Sequence, residues 1–355
     1  MDHYSGGIRM SFKKSILPVM SILMLSCFSQ SSNAKTTISG AGSTFAAPFY
    51  KLWFANFEKA TGIEVDYQPV GSGNGINDLK DQTVDFGASD APLSDNDEKT
   101  MPYPTLHVPT AGGAVTISYN LKGIGCGLRF TPKVIADIYL GKVTYWDDPE
   151  LQSINFVKLP HILIQPVHRS DGSGTTYIFT SFLSKADPQW ASKVGASKSV
   201  NWPVGQGGPG NPGVETKIQS TIGGFGYIEL AYAIQNHLPY GSVQNAAGNF
   251  VMPDVNSTRI AIAQYLPQLQ KDVRVPTVDA PGENSYPISG LTFILIYQHG
   301  GKVPGLVTKL WSWCMQPAQQ DLLKTLDYVP LPSQLVKINL ATLASVQGAE
   351  LSGKS

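Results

Sequence analysis

Hydrophobic and polar positions along the chain switch repeatedly between a period near two and a period near 3.6. Residues 63–70 (IEVDYQPV) and 161–167 (HILIQPV) are short strand-like runs. Ahead of the first run, residues 45–60 place Phe45, Phe49, Leu52 and Phe57 near one helical face, and Gly62 follows as a stop. A helix is expected over 131–140, with Thr131 as N-cap and Pro132 at the first helical position, where the missing N–H costs nothing. Residues 291–297 (LTFILIY) read as a buried strand, and helical stretches follow around 304–325 and 333–346. This alternation predicts an α/β architecture with largely parallel sheets. The chain shows no internal repeat, low-complexity block or long charged linker.

The N-terminus changes the picture, because it fixes a compartment. Arg9, Lys13 and Lys14 accompany an apolar run from Ile16 to Phe28, and a small polar stretch ends at Ser32-Asn33-Ala34. That order is expected of a secretory signal over 1–34 with cleavage after Ala34, and the run is shorter than the ~20 residues of a spanning helix. Met10 offers an alternative start to Met1. Cys27 offers a lipid-acceptor alternative, but Met24 and Leu25 stand where such sites take Leu and a small residue, so a free soluble form is favoured. Residues 35–355 suffice for two lobes, each with its own core. The chain balances 26 basic against 26 acidic residues and carries no basic block, which excludes a nucleic-acid binder. Any anion is therefore held by a local site, not by bulk charge.

Three turns supply such a site. Gly42-Ser43-Thr44, Gly71-Ser72-Gly73 and Gly172-Ser173-Gly174-Thr175 each separate a strand from a helix: one beginning near Phe45, one near 75–81, and one running to about Lys185. Glycine lets a backbone approach a ligand closely. A helix's first turn offers free N–H groups and partial positive charge, and hydroxyls add donors without formal charge. Any one of these turns alone is an ordinary N-cap. Their recurrence places anion binding slightly ahead of simple capping.

Two charged groups sharpen the reading. Arg169 ends its strand four residues before Ser173, and its planar fork suits an oxyanion, with Asp171 close enough to hold the guanidinium. Asp90 ends the segment Asp85-Phe86-Gly87-Ala88-Ser89. An ionised Asp accepts the proton that phosphate retains near neutral pH but repels sulfate, which has none. An Asx cap before Pro92 is the plainer alternative, and the residues by themselves favour it.

Gly40-Ala41-Gly42-Ser43-Thr44-Phe45, Asp85-Phe86-Gly87-Ala88-Ser89-Asp90-Ala91-Pro92-Leu93-Ser94 and Asp171-Gly172-Ser173-Gly174-Thr175 resemble the periplasmic phosphate-binding proteins of ABC-type phosphate transporters. So do Asp137–Lys142, Trp146-Asp147-Asp148, Gly223–Tyr227 and Thr292–Ile296, in order along essentially the whole mature chain. The resemblance implies a type II periplasmic-binding-protein fold: two α/β lobes joined by a hinge, with the ligand in the cleft between them. It implies crossings near 112–116 and 286–291, giving lobe I over 35–114 plus 289–355 and lobe II over 115–288. It implies phosphate ligands at Thr44, Phe45 (through its backbone N–H), Ser72, Asp90, Arg169, Ser173, Gly174 and Thr175, with Asp171 pairing the arginine. High-affinity phosphate capture and delivery to permease subunits follow, with no cofactor, no catalysis and a monomeric chain in the periplasm. Departures lie beside the site, at Ser43, Ala46, Gly73-Asn74 and His168, and are expected to tune affinity. Cys126 and Cys314 fall in different lobes, so two isolated buried thiols are expected in place of a disulfide that would tether moving parts.

Other chemistries fit less well. A binder of another tetrahedral oxyanion, such as sulfate, survives if Asp90 lies outside the cleft. The serine-hydrolase elbow needs Gly two before and two after Ser173, where Asp171 and Thr175 stand. A secreted phosphatase needs a metal cluster or a based nucleophile, and His107, His161, His168, His237 and His299 show no metal spacing. Gly205–Gly210 matches GxGxxG, but Pro203, Pro209 and Pro212 mark it as a structural or cleft-edge loop. Trp53, Trp311 and Trp313 read as helix-face core.

Overall fold

Short apolar runs punctuated by glycine-rich turns become the strands of a computed structural model that describes residues 10–11 and 36–348. The expected signal over 1–34 and the lipid-acceptor alternative at Cys27 lie outside the described residues, Met10 and Ser11 apart. In chain order the strands are β1 (Thr37–Gly42), β2 (Glu64–Gln68), β3 (Phe86–Ser89), β4 (Thr105–Tyr119), β5 (Arg129–Phe130) and β6 (Gln165–Arg169). They continue as β7 (Gln206–Gly208), β8 (Gly224–Glu229), β9 (Ser242–Gln244), β10 (Phe250–Val251) and β11 (Ser289–Tyr297). Eight join one curled sheet in the order β2-β1-β3-β11-β4-β8-β6-β7, and β10-β9-β5 form a small second sheet.

The large sheet is mixed, which corrects the expectation of largely parallel pairing. β1 runs parallel to β2 and β3, and β6 runs parallel to β7 and β8, but the central pairs β3–β11, β11–β4 and β4–β8 are antiparallel. The cause is β4. Its residues 105–114 pair with β11, whereas Val115–Tyr119 pair with β8. A strand that passes straight from one half-sheet to the other needs no crossover helix, so its neighbours meet it antiparallel. The chain thus makes two α/β lobes with β4 and β11 lying side by side at their junction.

The expected helices form with shifted ends. The first spans Ala47–Thr61, with Pro48 in its first turn, and Gly62 closes it in the left-handed region (φ 72°) by donating its N–H to Glu58 O. The stretch 304–325 divides into Pro304–Cys314, Pro317–Leu322 and a 3-10 turn at Leu323–Leu326, because Gln316 is extended ahead of Pro317. Thr131 caps Pro132–Tyr139 as expected, accepting from Val134 N–H. Only the end of the run 161–167 becomes strand. Its first half makes a single bridge, Tyr145 to Leu163, and Leu163 stays exposed. Cys126 and Cys314 are both free thiols; Cys314 is buried as expected, but Cys126 is exposed on a glycine-rich loop.

The first helix buries Phe49, Tyr50, Trp53, Phe54 and Phe57 against an aromatic lattice that includes Phe86, Tyr67 and Trp311. Trp53 is fully buried, and its indole N–H donates to Gln319 O at 2.9 Å. Trp53→Ala is expected to cost about 3–5 kcal/mol, since it opens a cavity and strands that carbonyl. Urea unfolding checks this, and a loss under about 1 kcal/mol would show that the lattice closes over the gap. This helix starts two residues beyond Phe45, so its packing fixes where the Phe45 backbone lies.

Candidate functional site

The three glycine–hydroxyl turns meet at one place. After β1, Ser43 donates its N–H to Ala88 O (2.9 Å) and its hydroxyl to Asp90, while its Oγ accepts from Ala46 N–H. The sequence departure at Ser43 therefore fastens the carboxyl at the end of β3. After β2, Gly71 turns the chain at φ 95°, and any Cβ there would stand 2.2 Å from Asp171 Oδ2, so only glycine fits. Ser72 opens the helix Ser72–Lys80, and its Oγ accepts from the N–H groups of Gly174 (3.0 Å) and Asp90 (3.3 Å). After β6, Ser173 caps the helix Gly174–Ala186 by accepting from Thr176 N–H at 3.1 Å, which leaves its own hydrogen free. Gly174 lies so close to Asp90 that a Cβ would approach it to 2.5 Å.

Charge is sparse in this cluster. Arg169 is 4% exposed. It grips Asp171 in a fork, Nε to Oδ1 at 2.8 Å and Nη2 to Oδ2 at 2.5 Å, and its Nη1 reaches Thr175 Oγ1 at 3.3 Å. Gly210 N–H also donates to Asp171 Oδ1 at 2.9 Å. Burial pushes the Asp90 carboxyl up to about 6, against the pull of the Ser43 hydroxyl and the Arg169 charge. Phe45 gives its ring to the core, edge-on to Tyr328, and its carbonyl accepts from Tyr328 hydroxyl at 2.6 Å. Only its backbone can serve an anion. Thr44, Phe45, Ser72, Asp90, Arg169, Ser173, Gly174 and Thr175 are thus all buried and gathered together, with Asp171 half-buried behind the guanidinium.

The two half-sheets contribute jointly. Gly73 N–H donates to Gly172 O at 2.7 Å, and Tyr232 hydroxyl donates to Thr44 O at 2.6 Å. At the rim, Asp97 and Glu98 of the helix Asp95–Thr100 pair with Lys198 (2.6 Å) and Arg274 (2.7 Å) from the far side.

Comparison with known proteins decides the family. The chain matches the PBP superfamily domain over residues 29–317. It is 42% identical over 304 residues to the phosphate-binding protein PstS of Xylella fastidiosa, covering 84% of this chain and 83% of that one. It is 40% identical over 305 residues to the PstS of Haemophilus influenzae, covering 84% and 90%. This chain belongs to the PstS phosphate-binding protein family. Its fold is shared with a phosphate binding protein from Stenotrophomonas maltophilia, at a TM-score of 0.65 and 18% identity over 86% of this chain and 93% of that one.

The structure adds to this cluster in the PstS-family chain one segment that sequence reasoning set aside. Gly205–Gly210 is no loose loop: β7 pairs parallel with β6, and Gly210 opens the helix Gly210–Ser220. Pro209 sits at the cap and Pro212 in the first turn, where neither ring breaks a hydrogen bond. The match to a strand–turn–helix spacing was the available signal, and the prolines masked it. This fourth turn delivers Asn211, fully buried between Thr44 and Thr175.

Proposed function

We propose that this PstS-family chain captures inorganic phosphate between its two lobes, outside the cytoplasm, and delivers it to the membrane subunits of an ABC-type import permease. One observation carries the reading. A single buried guanidinium, a single carboxyl raised to about 6 and an array of neutral hydroxyl and N–H donors converge from both half-sheets. Such a set matches an anion of modest charge that still bears a proton: donors for its oxygens, one acceptor for its hydrogen.

Thr44, the Phe45 N–H, Ser72, Asp90, Arg169, Ser173, Gly174 and Thr175 are the proposed ligands, with Asp171 steadying the arginine. Lobe I over 35–114 plus 289–355 and lobe II over 115–288 are supported by the change of partner between Ala114 and Val115 in β4 and by the start of β11 at Ser289. Closure of these lobes about β4 and β11 brings both donor sets onto the ligand, so phosphate favours the closed form. The chain acts as a monomeric receptor without turnover, exported by the signal over 1–34. Among the described residues no helix is long and apolar enough to cross a membrane.

Calorimetric titration of the mature, phosphate-stripped protein tests the proposal. One-to-one phosphate binding undisturbed by excess sulfate is expected. Equal binding of both anions would leave a general receptor for tetrahedral oxyanions, and hydrolysis of a chromogenic phosphate ester would replace the receptor with a phosphatase.

A further inference from the structure

Asn211 occupies a position that hydrogen-bond accounting makes unusual. Its side-chain Nδ2 donates to Thr44 Oγ1 at 3.0 Å and to Thr175 Oγ1 at 3.1 Å, so both amide hydrogens are committed. Its backbone N–H donates to the same Thr44 oxygen at 3.1 Å. The amide cannot flip without loss, because Oδ1 accepts the Glu229 N–H at 3.0 Å, and Glu229 is held in register opposite Val115. Arg169 Nη1 supplies a second donor to Thr175 Oγ1 at 3.3 Å.

A hydroxyl oxygen has two acceptor positions and one hydrogen. At Thr44 both acceptor positions are filled by Asn211, and at Thr175 they are filled by Asn211 and Arg169. Each hydroxyl is left with one thing to do, which is to donate. Neither finds an acceptor among the described residues, so both hydrogens remain for a ligand. A free threonine hydroxyl would spend part of its time presenting lone pairs to an anion; these two are held with the favourable sign before the anion arrives.

We propose that Asn211 is a positioning residue that fixes the polarity of the Thr44 and Thr175 hydroxyls, making both obligate donors to phosphate. The inference rests on the phosphate-receptor reading of the same site. On the proposed lobe boundaries Thr44 comes from lobe I and Thr175 from lobe II, so one amide sets the hydroxyls of both lobes and does so only when they are closed.

Asn211→Asp is nearly isosteric but replaces the donating Nδ2 with an accepting oxygen, which claims the threonine protons and turns their lone pairs toward the ligand. Phosphate binding is expected to weaken by roughly 100-fold or more at pH 8. Part of that loss comes from the added charge, and two readouts separate it. In a Thr175→Val background the penalty of Asn211→Asp should shrink by at least about fivefold, whereas a purely coulombic penalty persists. The ratio of variant to parent affinity should also recover toward pH 5, as the buried aspartic acid takes up a proton and donates again.

Should the aspartate variant fail to fold, Asn211→Ala carries the test at smaller amplitude, with a loss of roughly 3- to 10-fold that disappears once Thr44 and Thr175 are both valine. Binding within threefold of the parent for either variant, or a penalty indifferent to the valines, overturns the proposal. A parent protein that fails to bind phosphate overturns instead the reading on which it rests.

Discussion

Arg169→Ala is expected to weaken phosphate binding by roughly 30- to 4000-fold, the largest loss of any single substitution in the site, corresponding to about 2–5 kcal/mol. Arg169 is the one guanidinium in the cluster, and its side chain is 2% exposed, so no water replaces it easily. Its fork is already oriented by Asp171 at 2.8 and 2.5 Å and by Thr175 at 3.3 Å. A ligand therefore meets a cation that has already lost its rotamer freedom. Truncation does double damage. It removes the positive partner, and it leaves the Asp171 carboxylate beside the anion with Gly210 N–H as its remaining donor among the described residues. The second effect is separable: Arg169→Ala/Asp171→Asn should recover part of the loss, because the exposed repulsion goes with the carboxylate. Titration calorimetry at fixed ionic strength measures both. Binding by the single variant within about tenfold of the parent would mean that N–H and hydroxyl dipoles alone hold the anion.

That prediction was legible in the sequence because its parts are local. Arg169 and Asp171 lie two residues apart at a strand end, and the glycine–hydroxyl turns at 42–44, 71–73 and 172–175 carry their chemistry in adjacent positions. Asp90 was different. Alone it read as a cap before Pro92, and only the resemblance of the whole run 85–94 placed it in a site; its partners Ser43 and Gly174 come from distant turns. The long strand β4 was not legible in the hydrophobic pattern, and only the resemblance implied a crossing near 112–116, inside its residues Thr105–Tyr119. Pro109 and Gly112-Gly113 interrupt its pattern, yet the proline sits beside a register shift, where Thr110 of β4 is an extra residue between the Ala111–Thr292 and Pro109–Phe293 pairs. The antiparallel centre of the sheet escaped for a related reason. β4 and β11 meet across a sequence separation of more than 170 residues, and periodicity says nothing about such pairing. Asn211 combined both obstacles, since prolines disguised its turn and each of its partners is remote in sequence.

Asp90→Asn is expected to break discrimination between anions and not binding itself. In the parent at pH 8 the Asp90 carboxyl is ionised, because burial has raised it only to about 6. It can accept the proton of phosphate, whereas against sulfate its lone pairs face lone pairs. The Ser43 hydroxyl already donates to Oδ1. An asparagine that keeps this bond places its amide nitrogen where Oδ2 stood, and repulsion becomes donation. Sulfate affinity should rise by roughly 10- to 100-fold, the worth of a hydrogen bond to a charged group, while phosphate loses its acceptor and weakens.

The pH dependence gives the sign independently. As pH falls through about 6, Asp90 in the parent takes up a proton and becomes a donor, so sulfate binding by the parent should strengthen between pH 8 and pH 5. Sulfate keeps its charge over that range, and the asparagine variant should bind it with no such rise. Stability without added anion should follow the same group. A carboxyl raised on folding favours the folded state below its unfolded value of about 4 and loses that contribution as pH climbs through about 6. Asp90→Asn should therefore melt above the parent at pH 8, with the gap closing near pH 4. Unchanged phosphate-over-sulfate selectivity in the variant would sink the proton-reading role of Asp90, and a parent whose sulfate affinity is flat with pH would place the discriminating group elsewhere.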